Sequence, residues 1–169
     1  MTAFAEIPDF LLAPLHEAPA GAWDMAPPGA WSPGEIVSHV ATAIGNCGSG
    51  FASRADKPPM RRRPRAPWQF VAWQLVRTTG RFPVRNQAPE TARPERHPDR
   101  ATTEARLREG VARFLSTREA LLPRRARDLF LKHPVFGDMT IEEWTRFHVV
   151  HTAHHRRQLI HRLQWAGAQ

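Results

Sequence analysis

The chain has 169 residues, 41% of them hydrophobic, with 16 prolines, a single cysteine and a formal net charge of +8. That length holds one domain with a real core and is short for two. One cysteine, Cys47, excludes an internal disulfide framework, and no apolar run approaches the roughly 20 residues of a membrane span.

The opening "MTAFAEIPDF" carries acids where a signal peptide carries basic residues, so a cytoplasmic protein is expected. The positive charge is mostly arginine; lysine stands only at Lys57 and Lys132. Such a balance attracts acidic partners, but no nucleic-acid motif accompanies it. "MRRRPRAP" (60–67) reads as a solvated loop.

A first helix is expected within 4–17 around Phe4, Ile7, Phe10, Leu11 and Leu15, shortened or broken by Pro8 and Pro14. After an Ala-, Gly- and Pro-rich loop, "SPGE" marks a helix start. Ser32 is the N-cap, Pro33 takes the first helical position and Glu35 completes a capping box. Ile36, Val40, Ala43 and Cys47 then recur on one helical face, and Gly48–Gly50 suggest its end. Residues 54–66 read as a basic, proline-rich surface loop. "WQFVAWQLVRTTG" (68–80) predicts a mostly apolar helix stopped by Gly80 and Pro83.

Residues 83–101 predict an extended or mobile excursion. Thr102 or Thr103 is expected to cap a helix over 103–122, with Leu107, Val111, Phe114, Leu115 and Leu122 as its stripe and Pro123 after its end. In "KHPVFGDMTIEEW", Pro134 and Gly137 mark a turn, and Thr140 with Glu143 forms a second capping box. The last helix is expected over about 141–165. No period-2 strand is evident, so the class is all-α, four main helices with long loops, in a single domain over 1–169.

"HVVHTAHHRRQLIH" (148–161) holds five of the nine histidines. At about 100° per residue, His148, His151 and His155 share a stripe with Trp144 and Leu159, whereas His154 and His161 turn away. His151 and His155, at i and i+4, stand above one another and can converge on one ion. Two ligands hold a metal poorly, and His39, beside the apolar face of the 33–47 helix, is the natural third. Three neutral imidazoles suit zinc, with nickel or iron as alternatives. They leave an open position for water or substrate, as catalytic sites do. Thr152 stands where HExxH proteases place a glutamate, so protease chemistry lacks its base.

The stretch 133–159 resembles the C-terminal signature of a DinB-like family branch. Its elements are His133-Pro134-Val135-Phe136-Gly137, then Glu143-Trp144, then His151, His154, His155 and Gln158. "WSPGEIVSHVA" (31–41) resembles the family's second-helix segment, and the resemblance spans about 31–163. It implies a DinB-like four-helix bundle that binds a divalent metal through His39, His151 and His155. It also implies kinship with metal-dependent transferases and isomerases that use small thiols, and pairing into a homodimer.

Around this triad, His148 reads as a pocket base, a group orienting a ligand, or a packed residue. Glu35 reads as the capping-box acid ahead of a carboxylate orienting His39. Gln158 either reaches back to a ligand or packs. His133 and Phe136 fix the turn before the last helix, and Cys47 is a small core residue rather than a fourth ligand. The expected function is a metal-dependent enzyme, a hydrolase or small-thiol-dependent transferase acting on a small molecule, with no catalytic residue assigned. The alternative is a non-catalytic metal-stabilised binding or stress-response protein; nucleic-acid association is the weakest reading.

Overall fold

The computed structural model describes residues 3–19, 21–82 and 88–168. Five α-helices and one two-stranded sheet make a mainly helical fold: α1 (Ile7–Leu12), α2 (Pro33–Ala52), α3 (Pro67–Thr79), α4 (Arg100–Arg125), β1 (Leu131–His133), β2 (Gly137–Met139) and α5 (Ile141–Ala166). Both expected capping boxes form. Ser32 Oγ accepts from Glu35 N at 3.2 Å, and the Glu35 carboxylate accepts from Ser32 N at 2.9 Å. Thr140 and Glu143 repeat the arrangement at 3.2 and 2.9 Å. Each box satisfies two backbone N–H groups that the first helical turn leaves without partners.

The first helix is broken as its prolines require: α1 is flanked by single 3-10 turns at Phe4–Glu6 and Ala13–Leu15. Gly80 ends α3 in the left-handed conformation (φ 65°). Pro83 lies outside the described residues, as do 84–87 of the expected excursion.

Three boundaries differ from expectation. First, α2 does not end at Gly48–Gly50 but continues to Ala52. These glycines serve packing: a Cβ at Gly48 would lie 3.4 Å from the Phe114 backbone of α4, and one at Gly50 would lie 3.0 Å from the Leu131 side chain. Second, α4 begins at Arg100, capped by Asp99, whose carboxylate accepts from Thr102 N at 2.8 Å; Thr103 is buried. Pro123 falls inside the last turn of α4, near an end where few ladder bonds remain to be lost. Third, 131–139 form a hairpin pairing Leu131 with Met139 and His133 with Gly137. Strands of three residues are too short for alternation to register in the sequence.

The main core joins α1, α2, α4 and α5 through Ile7, Leu11, Val37, Ile44, Phe51, Leu107, Phe114 and Leu159. A smaller cluster of Trp73, Val76, Phe136, Met139 and Phe147 seats α3 and the hairpin against α5. Burying that many aromatic and branched side chains is the dominant favourable term in holding these helices together. No helix among the described residues is long and apolar enough to cross a membrane.

The loop at 60–65 is solvated at Arg61, Arg63 and Pro64, as expected, but it is not a free basic tract. Arg62 and Arg65 both pair with Glu143, at 2.7 and 2.9 Å, and Arg63 forks onto the Asp138 carboxylate at 2.9 and 2.5 Å. Arg65 also donates to the Phe136 carbonyl at 2.8 Å, and only 11% of its side chain is exposed. The loop is thereby strapped to the hairpin and to the start of α5. Pairing with Glu143 lets Arg65 lie mostly buried, because paired charges tolerate burial that isolated ones do not, while the Arg63 side chain stays 64% exposed as it holds Asp138.

Candidate metal centre

Helices α2 and α5 run antiparallel. Arg162 near the end of α5 donates to the Trp31 carbonyl just before α2 at 3.1 Å. At the opposite end, Trp144 of α5 donates to Leu131 O at 3.2 Å, and Leu131 abuts Gly50 of α2. Between them lies a groove of about 1600 Å³. The segment 88–97 also lines it, held to α2 by Asn46 donating to Thr91 O at 2.7 Å and by Glu95 N donating to Ser38 Oγ at 3.2 Å.

His39, His151 and His155 meet on this groove. Their ligand atoms lie within 4.8 Å of one another. His151 Nε2 is 3.0 Å from His155 Nε2 and 3.3 Å from His39 Nε2. Trp31 packs beside the group, with its ring 5.0 Å from that of His39. Phe147 stacks on His151 at 5.0 Å.

The outer nitrogens explain why the inner ones face each other as lone pairs. His39 Nδ1 lies 2.5 Å from the Ala92 carbonyl, which can only accept, so Nδ1 carries the proton. His155 Nδ1 lies 2.8 Å from Gln158 Oε1 and donates to it. Gln158 Nε2 in turn donates to His154 Nε2 at 3.1 Å, which fixes the amide orientation. Neutral His39 and His155 therefore both aim an Nε2 lone pair at His151 Nε2. A single proton there can bridge to one of them only. The Nδ1 of His151 is buried and has no partner among the described residues.

A divalent ion could satisfy this arrangement. Nitrogens sharing one ion at about 2.0–2.1 Å stand about 2.8–3.4 Å apart, from right-angled to tetrahedral geometry. The separations of 3.0 and 3.3 Å fall in that range. The three rings are also held neutral, as ligation requires. Burial pushes His39 below the ordinary imidazole range, opposed by the Ala92 carbonyl. Burial, then the charges of neighbouring histidines, hold His151 and His155 well below it. Hydrogen bonds to the non-ligating nitrogens orient such rings and raise their basicity as ligands.

The other expected residues sort themselves by contact. Gln158 reaches back to a triad member. Glu35 lines the groove, but its carboxylate is engaged in the capping box. His148 is a packed residue, fully buried against Phe114, Trp144 and Phe147, with neither ring nitrogen partnered among the described residues. Cys47 is a buried free thiol. His133 accepts two backbone N–H bonds in the turn, as expected of a residue that shapes it. His161 is exposed, but His154 does not look outward. It is half-buried, lines the groove and lies 5.0 Å from Phe82. Three residues along a helix is a rotation of about 60° from His151, small enough to keep His154 at the groove's edge. The Ala92 carbonyl had no sequence signal, because any residue supplies a carbonyl.

These features define a mainly helical protein with a buried three-histidine group, between two antiparallel helices, that could hold a divalent metal. The chain belongs to the family described as "Protein of unknown function (DUF1569)", whose model matches residues 20–162 and so includes His39, His151 and His155. No curated protein and no solved structure matches the chain.

Proposed function

We propose that the protein is a metal-dependent enzyme built on a DinB-like four-helix bundle, a hydrolase or small-thiol-dependent transferase. One observation carries this reading: three neutral imidazoles converge at ligand spacing on a groove with room for a small molecule. In this reading His39, His151 and His155 hold the ion, zinc first, with nickel or iron as alternatives. A bound divalent ion lowers the pKa of a water or thiol at its open position and so supplies a nucleophile.

The chain's own residues have separable duties. Ala92 and Gln158 hold the outer nitrogens of His39 and His155 and so aim the inner ones. Trp31 and Phe147 wall the site and limit water. Arg62, Arg63 and Arg65 are engaged with Glu143 and Asp138, which supports a small-molecule reading over a nucleic-acid one. The reading includes a homodimer, supported by the exposed apolar side chains Trp68, Phe70, Val71 and Leu75 of α3.

Metal analysis of protein purified without a histidine tag tests the first step. About one equivalent per chain is expected, lost in both His39→Ala and His151→Ala. Metal content unchanged in those variants overturns the reading.

A second reading, a metal-stabilised scaffold without turnover, is favoured by the triad bridging α2 and α5 while Ala92 ties in the 88–97 segment. It expects a chelator to lower the melting temperature with no consumption of thiol adducts. Turnover of such adducts by the metal-loaded protein excludes it.

A further inference from the structure

His133 is committed at one ring nitrogen and open at the other. Its Nδ1 lies 3.1 Å from Val135 N and 3.2 Å from Phe136 N. Backbone N–H groups only donate, so Nδ1 is a lone pair and the neutral ring carries its proton on Nε2. The ring stacks on Phe136 at 4.4 Å and meets the edge of Phe147 at 4.7 Å, which prevents it from turning over. Burial and the nearby Arg65 cation hold it neutral, with the pKa lowered to about 3. The side chain lines the groove, and its Nε2–H has no hydrogen-bond partner among the described residues. Phe147, which stacks on His151, stands between His133 and the triad.

The groove around it favours an anion. Arg54, Arg96 and Lys132 line it, together with Arg162, which also holds the Trp31 carbonyl, and Arg93, which lies near Glu90; its acid Glu35 is spent on the α2 cap.

We propose that the Nε2–H of His133 is a second recognition point in the groove. It donates to a carboxylate oxygen of a small ligand whose thiolate end is held at His39, His151 and His155. This rests on the metal-enzyme reading and names its substrate class, a short thiol carboxylate. A donor locked in one tautomer by the turn cannot exchange roles with the ligand, so it discriminates for an acceptor one aromatic ring away from the metal. Ligands that lack the carboxylate forgo this charge-assisted hydrogen bond.

The test uses the full chain loaded with cobalt, titrated with a series of short mercaptocarboxylates and the matching alkanethiols. Thiolate-to-cobalt absorption reports binding. The wild type is expected to prefer one chain length of mercaptocarboxylate over its alkanethiol. In His133→Asn the amide oxygen takes the place of Nδ1 in the turn, but nothing replaces Nε2–H. That variant is expected to lose about ten- to a hundredfold for the preferred mercaptocarboxylate, the worth of one hydrogen bond to a charged acceptor, with the alkanethiol unchanged. In His133→Gln the amide nitrogen stands near the Nε2 position, so the preference is kept while the unfolding midpoint falls.

No preference in the wild type, or equal losses for both ligands in the Asn variant, overturns the proposal. So does a preference that survives His133→Asn unchanged. Where the Asn variant fails to fold, the Gln variant decides, and loss of the preference there overturns it. Failure of the wild type to bind cobalt overturns the metal reading and the proposal with it, whereas bound cobalt that gives no thiolate band overturns the proposal and leaves the hydrolase reading standing. A band with no role for His133 overturns the proposal alone.

Discussion

His148→Phe separates what a buried imidazole does from what it fills. His148 is fully buried among Phe4, Phe114, Trp144 and Phe147, and both of its ring nitrogens lack partners among the described residues. Burial, then the charges of His133 and His39, lower its pKa from 6.5 to about 3. The folded state thus refuses a proton that the unfolded state accepts below pH 6.5. Stability is full above that value and is lost as pH falls toward 3. The loss approaches about 1.4 kcal/mol per pH unit, or about 2 kcal/mol between pH 8 and pH 5.

A phenyl ring of similar shape removes this linkage, and whatever its packing costs, that cost does not vary with pH. Urea unfolding of chelator-treated wild type and variant at pH 8, 6.5 and 5 measures the difference. The variant is expected to gain on the wild type by about 2 kcal/mol across that range. Parallel pH profiles would show that His148 takes up its proton equally well in the folded state, and would refute the burial argument.

Other outcomes follow from named contacts. Gln158→Leu removes the acceptor of His155 Nδ1 and is expected to weaken metal binding about 10–100-fold in a competition titration, with the circular dichroism spectrum unchanged. Glu143→Ala removes the α5 capping box together with the anchor of Arg62 and Arg65. A loss of about 2–3 kcal/mol in denaturant unfolding is expected, where a surface ion pair alone would give under about 1 kcal/mol. Gly34→Ala places a Cβ 2.5 Å from Trp23 Nε1, whose bond to Pro98 O it must disturb, so a loss of about 1–3 kcal/mol is expected by thermal or urea unfolding.

Local chemistry alone determined the two capped helix starts. Ser32-Pro33-Gly34-Glu35 and Thr140 with Glu143 each satisfy their own first turn and need no distant partner. The same holds for the break at Pro8 and Pro14, and for pairing His151 with His155, since one helical turn brings them together. From the residues themselves, apart from the resemblance of 31–41, their third member was legible only as an imidazole that otherwise lacked a reason to lie beside an apolar face.

What only the tertiary structure decided depends on segments far apart in the chain. Gly48 and Gly50 end a helix in one context and admit Phe114 and Leu131 in another; nothing within α2 distinguishes the two. The arginines at 62, 63 and 65 become structural because Asp138 and Glu143, more than seventy residues on, are folded against them. The Ala92 carbonyl orients His39 across 53 positions through a group that every residue carries. A sequence displays side-chain types and short-range periods, whereas the tautomers and lone pairs that make three histidines a site are set by backbone atoms and partners that only folding brings near.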